Sequence, residues 1–161
     1  MHLSKITKKT RKVVVINEWV VPKGFDLYVC CISNPVFSRS LNLVVGSFEE
    51  FKRLMLVEFD LKLDHQSANA YCLSFDNEKD KKRWHFMNIQ KNDWSAEDYG
   101  VICHELHHFV HFSMEEMGAK YGANSEEFYA YTLGFFMEQV VRSFIELKNT
   151  KYYKKYATKN K

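Results

Sequence analysis

The chain reads as an α+β domain: a small, mostly antiparallel N-terminal sheet with one helix, followed by two packed C-terminal helices. Two observations predict it. Runs rich in Val, Ile, Tyr and Trp fall before residue 90, whereas apolar residues recur at helical spacing from Ser95 onward. Strands first and helices last is the pattern of an α+β fold, and 161 residues suffice for one domain with its own core and no disulfide support.

The elements follow in order. The stretches 13–21 and 26–32 read as strands joined by a turn at Pro22-Lys23-Gly24, with a third strand over 41–45. Ser47-Phe48-Glu49-Glu50 has the form of a capping box, so a helix is predicted over 48–58 with Phe48, Phe51, Leu54 and Met55 toward the sheet. The stretches 70–75 and 83–89 form a hairpin about a charged turn at 76–82. A second capping box, Ser95-Ala96-Glu97-Asp98, opens a helix that runs to Met117 and stops at Gly118. Asn124 or Ser125 caps the last helix, which starts with Glu126 and Glu127 in its positively polarised first turn and continues to Leu147.

One domain is expected over 13–147, flanked by basic tails at 1–12 and 148–161. The tails carry five and six Lys or Arg and no acid, which leaves 12 basic against 20 acidic residues between them. Such ends are read as solvated, since no recognisable nucleic-acid motif accompanies them. No apolar stretch has the form of a signal peptide or the length of a membrane span, so the expected compartment is the cytoplasm. Cys30, Cys31, Cys72 and Cys103 form no CxxC pair and are expected to be reduced, buried thiols, the first two on opposite faces of a strand.

Four of the seven histidines crowd into 104–111, where His104, Glu105 and His108 make the pattern HExxH on the predicted helix. Residues four apart lie one turn above each other, so both imidazoles can reach one zinc ion while Glu105 stands to the side as general base. A third protein ligand is required, with the fourth position left to water. The next helix offers Glu126 and Glu127.

With HExxH followed after eighteen residues by Glu127-Phe128-Tyr129-Ala130, the chain resembles the gluzincins, whose third ligand is a glutamate in an ExxA context on a following helix. The resemblance covers 95–147 and implies a minimal zincin-like fold. It further implies a Zn2+ site of His104, His108 and Glu127, and a metallopeptidase acting on a peptide or protein with Glu105 as base. Where related gluzincins often carry an aspartate four residues after the ligand, this chain has Tyr131, a candidate to contact a ligand or the reacting oxygen. The order of elements is also similar to that of small phage-encoded HExxH proteins. Zincins usually place an edge strand above the metal helix, and the stretch 83–89 is the candidate, with an interior position left open.

Several residues have plainer readings. His107 is expected to point away from the ion, and His111 to pack in the wall or touch substrate. Glu115 and Glu116 read as a solvated helix end, and Phe109, Phe112, Met114, Phe135, Phe136 and Met137 as core. The rival to an enzyme is a zinc-stabilised protein-binding module without turnover.

Overall fold

The computed structural model describes residues 17–18, 24–34, 38–64, 69–90 and 95–148. The tail at 1–12, the rest of the predicted first strand, Pro22, Lys23, Pro35 and 149–161 lie outside them.

Five strands, β1 (Asn17–Glu18), β2 (Tyr28–Asn34), β3 (Arg39–Val45), β4 (Ala70–Asn77) and β5 (Lys82–Ile89), form one sheet in the order β1-β2-β3-β5-β4. Three helices among the described residues, α1 (Phe48–Phe59), α2 (Ala96–Glu116) and α3 (Glu126–Lys148), pack with it in an α+β fold. All neighbouring strands are antiparallel except β3 and β5, which run parallel. No helix among the described residues is long and apolar enough to cross a membrane.

Alternation along the strands builds two cores. On one face Val44 and Phe86 meet Phe48, Phe51, Leu54 and Met55 of α1, the four residues predicted for that contact. On the other, Ile32, Leu43 and Met87 meet Leu106, Phe109 and Val110 of α2 and Phe136 and Val140 of α3. Phe109 and Phe136 lock the two helices edge to face, with ring centroids 4.6 Å apart. Phe112, Phe135 and Met137 are half-buried at the margin of this core rather than within it.

Because both faces are covered, an inner strand is buried on both sides, and β5 is: every residue from His85 to Ile89 is buried. The interior position left open for this strand is the one it takes, and β4, only partly buried along most of its length, is the edge.

Caps explain the helix starts. Ser95 and Asp98 form the full reciprocal capping box of α2. At α1 only half of the box forms, since Ser47 accepts from the Glu50 N–H while the Glu50 carboxylate turns to the Asp26 N–H and to Arg53. Ser125 does not cap α3 through its side chain; its hydroxyl donates to the Lys120 carbonyl at 2.5 Å. Gly118, with φ of 72°, ends α2 as expected.

The parallel β3–β5 seam has four residue pairs, from Asn42 with Phe86 to Val45 with Ile89. Two buried asparagines staple it. The Asn42 Nδ2 donates to the His85 carbonyl at 3.0 Å, and the Asn88 Nδ2 donates to the Val44 and Gly46 carbonyls at 3.2 Å each. Gly46 has φ of 155°, and a Cβ there would come within 2.4 Å of the Leu27 side chain, so the turn out of β3 needs glycine. Asn88→Ala should cost about 2–3 kcal/mol, because it removes a fully buried amide and leaves two carbonyls short of a donor. Urea unfolding checks this, and a loss under about 0.5 kcal/mol would show that the staple is dispensable.

Candidate metal-binding site

The site residues are placed by the buried stripe of α2. Ile102, Leu106, Phe109, Val110, Ser113 and Met114 face the sheet and α3, which turns His104, His108 and His111 to the opposite, outer side. His104 and His108 are exposed, and their Nε2 atoms lie 3.1 Å apart, close enough for one ring N–H to donate to the other nitrogen. Two nitrogens each about 2.0–2.1 Å from a tetrahedral ion are about 3.3 Å apart, so the pair has the spacing of two ligands to one metal.

Glu105 stands between this outer face and the buried stripe, on the side toward β4. Its Oε2 accepts the Cys72 N–H from the edge strand at 2.6 Å. Cys72 pairs across the ladder with Met87, and its neighbours Tyr71 and Leu73 pair with Asn88 and Phe86. With the Gln90 N–H donating to the Asn69 carbonyl, the alternation of the ladder turns the backbone groups of Cys72 and Ser74 to the open edge. Glu105 is thus tied to the edge strand β4.

Glu127 does not join the imidazole pair. The buried face of α3 carries Tyr129, Thr132, Phe136 and Val140, and Glu127 is nine residues before Phe136, about 180° around the helix. It is exposed, and so is Tyr131 at 74%, on the same outer side of α3. Among the described residues no group of three His, Cys, Asp or Glu is placed to hold a metal ion. The expected three-ligand grip, and a Tyr131 beside it, are therefore not assembled. The physical reason is that α3 packs on the flank of α2 that carries His107, away from His104 and His108. His107 and Glu126 line a small cavity of about 210 Å³ between the two helices, with Ala130 at its wall. His111 does not pack in a wall; its Nε2 pairs with Glu115 at 3.4 Å on the outer surface.

The thiols are free, yet not uniformly buried. Cys30 is in the core, where burial raises its pKa to about 11, and burial likewise pushes Cys72 well above the ordinary thiol range. Cys103 is exposed, although it lies in angular line with Val110 and Met114 of the buried stripe.

A second polar cluster was not foreseen. Glu116, read from the sequence as solvated, is largely covered and holds three partners. Arg39 Nε lies at 3.2 Å, Arg83 Nε at 3.6 Å and His85 Nε2 at 3.0 Å. His85 is 3% exposed, touches the Ser74 hydroxyl through Nδ1 at 2.6 Å, and packs edge-on against Phe109. The signal available in the sequence was a histidine inside an otherwise apolar strand. Such a residue needs a buried partner, and only tertiary packing names it.

Comparison with protein-family models, with curated proteins and with solved structures found no match to the chain.

Burial first, and then repulsion by Arg39 and Arg83, lower the His85 pKa from 6.5 to about 4. Across that window the unfolded chain binds a proton here that the folded chain refuses, so the stability tied to neutral His85 is present above pH 6.5 and is lost as pH falls toward 4. The full effect is about 3 kcal/mol. Glu116 works in the opposite sense, because burial raises its pKa and the folded chain takes up that proton first, offsetting part of the loss at the acid end. Urea unfolding from pH 7.5 down to pH 4.5 should show a fall in wild-type stability that is shallower in His85→Gln. Equal slopes would assign the acid loss to other groups.

Proposed function

We propose that the protein is a zinc-dependent hydrolase of the HExxH kind, a metallopeptidase whose substrate is an extended peptide. The observation that carries this reading is the convergence of His104 and His108 Nε2 to 3.1 Å, one residue from a carboxylate held at the rim of an open sheet edge. Zinc, when bound there, supplies a Lewis acid and a water whose pKa is lowered toward about 7.

In this reading the chain's own residues do the following. His104 and His108 anchor the ion. Glu105 takes and returns the proton, with one oxygen fixed by the Cys72 amide so that the carboxylate does not swing free. β4, which pairs with no strand on its outer side among the described residues, offers main-chain groups to an extended peptide. A peptide adding there competes with Glu105 for the Cys72 N–H, which ties substrate entry to release of the base. Glu127 becomes the third ligand only if the first turn of α3 rearranges toward α2.

That last condition favours a second reading, in which the imidazole pair binds zinc without turnover and the chain is a zinc-stabilised protein-binding module. Metal analysis of zinc-loaded protein separates the two. His104→Ala and His108→Ala should each lose stoichiometric zinc, whereas Glu105→Gln should retain it and lose peptide hydrolysis by about 100-fold or more. Zinc lost in Glu127→Ala would show that α3 does rearrange. Zinc retained there, with no hydrolysis by the wild type, would establish the binding module and sink the enzyme.

A further inference from the structure

The sheet forks. Upstream of the four-pair seam, Arg39, Ser40 and Leu41 of β3 remain paired to β2, and Lys82 to His85 of β5 remain paired to β4, but the two segments no longer pair with each other. Asn42, 3% exposed, sits where they part and bridges to the His85 carbonyl. A cavity of about 450 Å³ opens in the fork, within the usual range of small-ligand sites.

Three cations, Arg39, Lys82 and Arg83, stand on its walls against one carboxylate, Glu116. Asp76 takes Arg83 from outside the cavity in a two-point pair at 2.8 Å, and Lys82 has no carboxylate partner among the described residues. Glu116 alone cannot satisfy what surrounds it. Arg39 Nε and Glu116 Oε1 are buried with no hydrogen bond, although both lie within ion-pair distance of a partner. The contacts are close but misaligned. Unsatisfied buried donors are rare in folded proteins and mark places where a water, an ion or a ligand completes the network.

We propose that this fork is a ligand site for an oxyanion, a phosphate or carboxylate group, taken by Arg39 and Arg83 with Lys82 at the mouth. Guanidinium groups suit such ligands because their planar donors match the spacing of two oxygens. The site is separate from the imidazole pair, as Glu116 stands eleven residues along α2 from Glu105, about 16 Å at 1.5 Å per residue. It does not depend on the metal reading.

Calorimetric titration of the full chain tests this, with metal removed beforehand on a chelating resin so that no soluble chelator competes, using inorganic phosphate and succinate as separate probes. Saturable one-site binding of either is expected, and the preferred probe identifies the oxyanion. Arg39→Gln should weaken it at least about tenfold and Lys82→Gln about threefold or more. Lys82 makes no ion pair among the described residues, so its variant stays informative if Arg39→Gln fails to fold. Glu116→Gln, which removes the competing carboxylate, should tighten binding several-fold. No saturable binding of either probe would overturn the proposal, and so would equal binding by wild type, Lys82→Gln and Glu116→Gln, which would place the anion elsewhere on the chain.

Discussion

The four-pair parallel seam between β3 and β5 is the constraint on which the rest of the molecule depends. It joins two antiparallel hairpins, β2–β3 and β4–β5, into one sheet, and it is shorter than either of the ladders it connects. A seam this brief has few main-chain bonds to hold it, so the chain adds side-chain amides at both ends. Asn42 and Asn88 sit at positions where an apolar residue would pack equally well on α1 but would donate nothing to the facing strand.

Two consequences follow from where the seam lies. β4 is forced to the outside of β5, beside α2, and this sets the Cys72 amide against Glu105. At the other end the strands part, and Arg39, Arg83 and His85 close around Glu116. Glu105 and Glu116 are eleven residues apart on α2 and so point in nearly the same direction from its axis. One flank of a single helix thus addresses both the edge strand and the fork.

Much of this was legible in the sequence. Every described element was foreseen in type, since β-branched runs, helical spacing and the serines at 47 and 95 are local signals that local structure obeys. The imidazole pair was legible for the same reason, because i, i+4 spacing on a helix fixes proximity without reference to the rest of the chain. The face that α1 turns to the sheet was foreseen as well; what local signals did not fix was where α3 aims its first turn and which strand lies at the edge. Glu127 matched a sequence pattern, but its direction is set by Tyr129, Phe136 and Val140, which turn α3 so that Glu127 faces outward. The edge position went to β4 because strand order depends on the seam, and nothing local reports that. Glu116 and His85 found each other across 31 positions of chain, so their pairing left no trace in spacing.

The bond from Glu105 to the Cys72 amide bears on solubility as well as chemistry. An open strand with outward amides is a template on which another extended chain can grow, and folded proteins blunt such borders with charge or cover. Here α2 lies alongside the border, and its carboxylate occupies an amide that a neighbouring molecule would need first. The residue proposed as general base therefore also guards the molecule against stacking on its own kind.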